Sequence, residues 1–173
     1  LARFDALTGL ANRRHFDEHV AEAVARAHRT RAPLMLLAFD LDRFKQINDS
    51  HGHAGGDAVL VEFARRLREC VYDVDLVARL GGDEFMVLVE YAPDTLAGER
   101  IARRILAAMR APFIVDGGEL SVSTSIGIGL LQPVTTASAL MHQADRALYE
   151  AKSRGRNTWR LLAGGTQEIE SAA

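Results

Sequence analysis

The sequence contains little of what marks a secreted or membrane-spanning protein. Cys70 is the only cysteine among 173 residues, so no disulfide can form within the chain, which fits a reducing compartment. The longest apolar runs, 33–39 and 126–131, are far shorter than the ~20 residues that a membrane span needs. No secretory signal is visible. We therefore expect a cytoplasmic domain that makes no membrane contact.

The sequence also lacks a large excess of charge of either sign. It contains 21 Lys and Arg against 23 Asp and Glu, a formal net charge of −2. Because nucleic-acid-binding domains carry a basic surface, neither DNA nor RNA is an expected partner. A phosphorylated ligand would need local cations or a metal ion. The length and a hydrophobic content of 48% are sufficient for one domain with a sizeable core.

Three familiar site patterns are missing or incomplete. No G-x-x-x-x-G-K-[ST] phosphate loop occurs. The acidic stretch that begins at Asp40 is not an EF-hand, because its sixth position is Lys45 rather than glycine. His15 to His19 matches the H-x-x-E-H pattern of zinc peptidases, but no clear third ligand follows in a matching context. We interpret these two histidines as the solvated flank of a helix.

Hydrophobic periodicity predicts an α+β fold, with helices packed on a mostly antiparallel central sheet and a βαββαβ core. The apolar run up to Phe39 predicts a central strand buried on both faces. We expect a globular domain over residues 1–162 and a disordered tail over 163–173. The predicted elements are helices at 16–29, 57–70, 95–109 and 138–153, strands at 33–40 and 157–162, and hairpins at 75–90 and 113–131. Phe44 and Ile47 also predict a short helix, and Gly52, Gly55 and Gly56 predict a loop between it and the helix at 57–70.

Two acidic clusters lie where predicted strands end. Asp40 follows the central strand, and Asp83 and Glu84 follow the Gly81-Gly82 turn of the first hairpin. Successive side chains of a strand point to opposite faces, so Asp83 and Glu84 are expected to face different surroundings. From these residues alone, each cluster is either a solvated strand end or part of a metal site.

Four motifs, in one order and at matching spacing, resemble those of GGDEF domains, and together they cover about residues 1–160. The matching segments are DALTGLANRR at 5–14, DLDRFKQINDSHGHAGGD at 40–57, GGDEF at 81–85 and ADRALYEAKSRGRN at 144–157. The resemblance implies the palm-like βαββαβ fold of nucleotidyl cyclases. It also implies a diguanylate cyclase, which condenses two GTP into cyclic di-GMP and two pyrophosphates with Mg²⁺ or Mn²⁺.

The resemblance assigns roles to the acidic clusters. Asp40 and Asp83, with the carbonyl of Leu41, would be the metal ligands, because hard divalent cations need oxygen donors brought together from separate elements. This requires the hairpin to pair beside the Asp40 strand. Glu84 would be a second metal ligand or the base near the attacking hydroxyl group.

The remaining family positions would bind GTP itself. Asp57 and Asn48 would accept and donate hydrogen bonds at the guanine edge, and His53 would lie next to the nucleotide. Helix N-capping is the alternative role of Asp57. The phosphates would be bound by backbone amides at a helix start, those of Arg43, Phe44 and Lys45, and by two cationic side chains, those of Lys152 and Arg156. A basic last turn that complements the helix dipole is the alternative role of Lys152 and Arg156.

One family feature is absent. Many members carry R-x-x-D upstream of the Gly-Gly as an allosteric product site, but this sequence has Tyr72 in place of the arginine and keeps Asp75. We therefore predict no high-affinity product site at this position, and we expect any product inhibition to act at the active half-site.

Because one domain supplies one GTP, we expect activity to require a two-fold homodimer, controlled by an upstream sensory or regulatory domain. The alternatives are a catalytically silent module that binds GTP or cyclic di-GMP and a different purine cyclase.

Overall fold

The computed structural model of the protein describes residues 2–163 and 167–171. The helices are α1 (Arg13–Thr30), α2 (Phe44–Cys70), α3 (Ala97–Ala108) and α4 (Ala137–Ser153). The strands are β1 (Met35–Leu41), β2 (Leu76–Gly81), β3 (Glu84–Val89), β4 (Phe113–Val115), β5 (Gly118–Leu120), β6 (Thr124–Leu130), β7 (Trp159–Ala163) and β8 (Gln167–Ser171).

The main sheet has six strands in the order β2-β3-β1-β6-β7-β8. Every neighbouring pair is antiparallel except β6 and β7, which run parallel. The succession β1-α2-β2-β3-α3-β6 is a βαββαβ unit, with β1 and β3 at its centre. The predicted α+β class, mostly antiparallel sheet and βαββαβ core are therefore confirmed.

β1 separates two hydrophobic clusters, because its side chains alternate between the two faces of the sheet. Leu37 and Phe39 pack with residues of α2 and α3 on one face. Leu36 and Ala38 pack with residues of α1 and α4 on the other face. Asp40, two residues beyond Ala38, consequently lies on the side of α1 and α4.

Three aromatic rings hold together the strands that carry the acidic clusters. The ring of Phe63 on α2 makes T-shaped contacts with Phe39 at 6.1 Å and with Phe85 at 4.9 Å between centroids. Phe39 precedes Asp40, and Phe85 follows Glu84. Such pairs contribute roughly 0.5–1.5 kcal/mol each beyond the area that they bury. They fix the ends of β1 and β3 against the same helix.

α4 packs against β6 without intervening side chains. A Cβ atom on Gly127 would lie 2.1 Å from Leu148 N and 2.2 Å from Ala144 O. Only glycine at this position allows the helix backbone to approach so closely. The glycine therefore determines how near the C-terminal half of α4 lies to the central strands.

α2 consists of two helical pieces that meet at Gly52, whose φ of 72° and ψ of 175° are not helical. The predicted short helix and second helix are therefore present, but the second piece begins directly after Gly52, without the predicted glycine loop up to residue 56. Gly55 and Gly56 are buried within the helix, because His51 and Asn48 pack against them. Asp57 is therefore an interior helical residue, and the alternative role of N-cap is wrong.

Two other expectations also differ from the structure. The second hairpin is shorter than predicted: β4 pairs with β5 in a separate two-stranded sheet, and the chain then crosses to the main sheet as β6. Part of the tail expected to be disordered forms β8, which pairs with β7. The rest of that tail beyond Ala163 lies outside the described residues.

Among the described helices, none combines the length and the apolar character that a membrane crossing requires.

Candidate active site

The Gly81-Gly82 hairpin brings its carboxylates next to the end of β1. β3 pairs antiparallel with β1, and Asp40 is the register partner of Glu84. The two glycines take φ values of 148° and 51°, which are unfavourable for residues with a side chain. The predicted placement of the hairpin beside the Asp40 strand is confirmed.

Arg79 fixes the hairpin turn to the segment before α1. Its Nε donates to the carbonyl of Gly82 at 2.9 Å, and its Nη1 donates to Asp5 Oδ1 at 3.0 Å. Burial alone would raise the pKa of Asp5, but hydrogen bonds from Thr8 and the charge of Arg79 lower it. Asp5 therefore stays ionised and holds the arginine, which limits movement of the turn.

Two carboxylates and one lysine meet at this point. Lys152 Nζ of α4 donates to Asp40 Oδ2, whereas Asp40 Oδ1 is buried and has no hydrogen-bond partner in the described part of the chain. Asp83 lies beside them: its burial and the negative charge of Asp40 both raise its pKa. The sequence placed these three residues in one site, and the structure brings them together.

Glu84 has different surroundings from Asp83, but strand alternation is not the cause, because Asp83 belongs to the turn and β3 begins at Glu84. Its side chain is 61% exposed, and its Oε2 is 3.9 Å from Nη2 of Arg13. It therefore remains accessible from outside the domain. In this arrangement Asp83 faces inward to Asp40, and Glu84 faces solvent.

The donors present suit a hard divalent cation. A cation between Asp40 and Asp83 would receive the unpartnered oxygen of Asp40 and would relieve the repulsion that raises the pKa of Asp83. Residues 2–163 and 167–171 contain no cluster of three or more His, Cys, Asp or Glu side chains ready to hold a metal. His19, of the H-x-x-E-H pattern, contacts Glu90 Oε1 at 3.0 Å, and His15 packs edge-on against Phe4.

The start of α2 has the expected cradle of amides. Arg43 takes a left-handed conformation (φ 56°) and precedes the helix, so the free N–H groups of the first turn begin at Phe44 and Lys45. Asn48 lies one turn further on and packs against Gly56. The predicted guanine-binding residues and His53 all lie on α2, with Asn48 before the break at Gly52 and both Asp57 and His53 after it.

The predicted cations flank the end of α4. The helix ends in a Schellman motif: Arg156 N donates to Ala151 O at 3.1 Å and Gly155 N donates to Lys152 O at 3.3 Å. This confirms Gly155 as the residue that terminates the helix. Arg156 is exposed and left-handed (φ 66°), and Lys152 is held one turn earlier against Asp40.

Asp42 is a site residue that the sequence analysis did not identify. Its carboxylate is buried and accepts hydrogen bonds from Ser123, Ser125 and the backbone of Asn157. The available signal was its spacing from Asp40: an acid two residues on lies on the same side of the chain and needs partners of its own. Two serines that alternate at 123 and 125 supply them.

The positions of the product-site motif lie together at a separate cavity of about 330 Å³. Tyr72 is exposed, and its backbone N–H donates to Asp75 Oδ2 at 3.0 Å. Asp75 Oδ1 is buried and has no hydrogen-bond partner among the described residues, and burial raises the pKa of this group. Tyr72 therefore contacts the acid only through its backbone N–H, and its side chain carries no guanidinium.

A profile of the family described as "Diguanylate cyclase, GGDEF domain" matches residues 2–158. The chain belongs to the GGDEF domain family. This GGDEF domain is 46% identical over 162 residues to the diguanylate cyclase TpbB of Pseudomonas aeruginosa, covering 92% of the chain and 37% of TpbB. It therefore spans little more than a third of that relative's length.

A solved structure and a second relative extend the comparison. The isolated GGDEF domain of TpbB superposes with a TM-score of 0.88 at 46% identity, covering 91% of this chain and 93% of that one. The cyclic di-GMP phosphodiesterase NbdA of Pseudomonas aeruginosa is 36% identical over 176 residues, covering 98% of this chain and 22% of NbdA. The family therefore includes proteins named for making cyclic di-GMP and for degrading it.

Proposed function

We propose that this GGDEF domain is a diguanylate cyclase that condenses two GTP into cyclic di-GMP and two pyrophosphates. The observation that carries the proposal is the meeting of Asp40 and Asp83 beside Lys152, with Arg156 at the same helix end. A site for nucleotidyl transfer needs these two kinds of group, acidic ligands for a cation and cations for phosphates. The 46% identity to a protein named diguanylate cyclase supports this assignment.

Asp40, Asp83 and the carbonyl of Leu41 would hold Mg²⁺ or Mn²⁺, and Glu84 would be either a further ligand or the base near the attacking hydroxyl group. When bound, such an ion neutralises charge on the phosphates and activates the attacking hydroxyl group. Asp40 Oδ1 is available to the ion as it stands, whereas Oδ2 becomes available only when the ion pair with Lys152 opens. The freed ammonium group would then bind the phosphates of the nucleotide that arrives with the metal.

The other predicted residues would bind the rest of GTP. Asn48 and Asp57, on the two sides of the α2 break, would read the N1–H and amino group of guanine. An adenine lacks the N1 donor and would leave Asp57 unpaired, a penalty of about 1–3 kcal/mol. The backbone amides of Arg43, which precedes α2, and of Phe44 and Lys45 in its first turn would bind the phosphates together with Arg156. His53 would lie nearby.

A second copy of the domain completes the reaction. One domain supplies one GTP, so a two-fold homodimer would bring the 3′-hydroxyl of each nucleotide to the α-phosphate of the other. The exposure of Glu84 supports a role as the base that faces the partner's nucleotide. We further propose that the domain is cytoplasmic. Since it matches only 37% of TpbB, we also propose that it works under an upstream sensory or regulatory domain.

Product inhibition, if it occurs, would act at the active half-site through Asn48 and Asp57. The exposed ring of Tyr72 offers no bidentate donor to a guanine edge or a phosphate, so the 330 Å³ cavity would not bind cyclic di-GMP tightly. Titration of cyclic di-GMP into wild type and Asp57→Ala tests this. Tight binding that survives Asp57→Ala would show that a product site exists elsewhere.

A catalytically silent module that binds GTP or cyclic di-GMP is the second candidate. The ion pair between Lys152 and Asp40 favours it, because a lysine that stays on Oδ2 neutralises the carboxylate and leaves only Oδ1 for a metal ion. In that case nucleotide would bind without turnover.

One assay separates the two candidates. The domain is incubated with GTP and Mg²⁺ over a range of protein concentrations, and cyclic di-GMP is measured by chromatography. We expect product at high concentration, where dimers form, and none from Asp83→Ala, whose circular dichroism should match wild type because a turn carboxylate contributes little to the core. Nucleotide binding without product at any concentration would favour the silent module.

A further inference from the structure

We infer that Asp42 is a positioning residue for the triphosphate, which acts by fixing the backbone that carries Arg156. The inference rests on the proposed function, because it assigns a role within the same site. Nothing in the motif assignments gives Asp42 a task, although it is 7% exposed and lies two residues beyond a metal-binding candidate.

The carboxylate of Asp42 joins three separate segments of the chain. Oδ2 accepts from Ser123 Oγ at 2.6 Å and from Asn157 N at 3.0 Å, and Oδ1 accepts from Ser125 Oγ at 2.6 Å. The backbone N–H of Asp42 also donates to Ser123 O at 2.9 Å. The end of β1, the start of β6 and the connection between α4 and β7 are thereby held at one point.

The contact with Asn157 is the one that affects the phosphate site. Arg156 and Asn157 have φ values of 66° and 49°, which residues with a side chain rarely adopt. Such a conformation persists only where the surroundings impose it. The Schellman bond from Arg156 N to Ala151 O fixes one side of this pair, and Asp42 fixes the other side. Without the second contact, the backbone that directs Arg156 can relax.

The chemistry of the contact favours a carboxylate. All three partners donate, and a hydrogen bond to an ionised acceptor is roughly twice as strong as a neutral one. An asparagine can keep its oxygen on Ser123 and Asn157, while its amino group faces Ser125, whose hydroxyl can rotate to accept. Asp42→Asn should therefore retain a weakened contact to the Asn157 amide, whereas Asp42→Ala removes it.

Two nucleotides separate this role from a general effect on the fold. GMP and a non-hydrolysable GTP analogue share the guanine contacts, but only the triphosphate presents β- and γ-phosphates to Arg156. We expect Asp42→Ala to weaken binding of the GTP analogue about tenfold or more, the effect of losing a hydrogen bond to a charged group, while GMP affinity changes less than about twofold. Asp42→Asn should lie between Asp42→Ala and wild type. Calorimetry on the intact domain gives all the affinities.

A double-mutant cycle tests the route through the arginine. If Asp42 acts by positioning Arg156, Asp42→Ala should have almost no further effect on the GTP analogue in an Arg156→Ala background. An unchanged ratio of the two affinities, whether both weaken equally or neither changes, would overturn the inference. Full additivity in the cycle would also overturn it. If Asp42→Ala does not fold, the same ratio measured for Asp42→Asn and Ser123→Ala decides, and an unchanged ratio in both overturns it. Failure of the wild type to bind either nucleotide would overturn the proposed function itself.

Discussion

Gly56→Ala should separate stability from guanine recognition. Gly56 is a helical residue of α2 without a positive φ, so its backbone tolerates alanine. The added Cβ would lie 1.8 Å from Asn48 Oδ1 and 3.2 Å from Phe44 Cζ. Because the amide of Asn48 is the end of a flexible side chain, we expect it to rotate away and leave the helix intact.

The two consequences have opposite signs. Replacing a glycine with alanine inside a helix stabilises it by about 0.5–1 kcal/mol, which offsets part of the cost of moving Asn48. If Asn48 binds guanine, its displacement leaves a polar edge of the base unpaired, at a cost of about 1–3 kcal/mol or roughly five- to 150-fold in affinity. The variant should therefore fold about as well as wild type and bind GTP much more weakly.

The assay is a cycle of Gly56→Ala, Asn48→Ala and the double variant. Affinity for a GTP analogue is measured by calorimetry, and the free energy of unfolding by urea denaturation. Since the methyl group acts through Asn48, it should have little effect on affinity once Asn48 is alanine. The reasoning is refuted if Gly56→Ala leaves GTP affinity unchanged, or lowers it equally in both backgrounds.

Three further predictions concern the fold around the site. Gly127→Ala should destabilise the protein by about 1–3 kcal/mol in urea denaturation, because its Cβ meets helix backbone within 2.2 Å, whereas Gly118→Ala, with its nearest atom at 3.7 Å, should have little effect. Burial raises the pKa of Asp75 above 3.8, so the stability present while this group is protonated is lost as the pH rises through the raised pKa. The stability of Asp75→Asn relative to wild type should therefore increase from pH 4 to pH 7, and a flat difference would contradict this. Burial also raises the pKa of the Cys70 thiol, so iodoacetamide at pH 8 should label it slowly in the native protein and rapidly in urea.

The fold was predictable where hydrophobic spacing is set by burial. The helical stripe of α1 faces the core, so its period gives its structure directly. The apolar run of β1 has no period, but it is short enough to favour a strand buried on both faces. Asp40 and Asp83 were found by their positions at strand ends, together with motif resemblance. The contact between Lys152 and Asp40 could not be predicted, because it depends on how closely Gly127 lets α4 approach the sheet.

The errors came from tertiary contacts that override local preference. Gly55 and Gly56 resemble loop residues, but their lack of a side chain serves packing against His51 and Asn48 within a helix. The polar tail was expected to be disordered by its composition, yet β7 presents an open edge on which β8 can pair. Asp42 was missed because its partners lie some eighty and more residues away, at Ser123 and Asn157.

The break at Gly52 gives α2 an unusual influence over base selection. Asn48 and Asp57 lie on the two helical pieces that this glycine joins, so the angle between the pieces sets the separation of the two side chains. A Cβ at Gly52 would meet no atom within 4 Å, and only its φ of 72° resists substitution. The width of the proposed purine pocket therefore depends on the backbone torsions of Gly52 as well as on the side chains that contact the base. A change in these torsions would alter the separation of Asn48 and Asp57 without changing either residue.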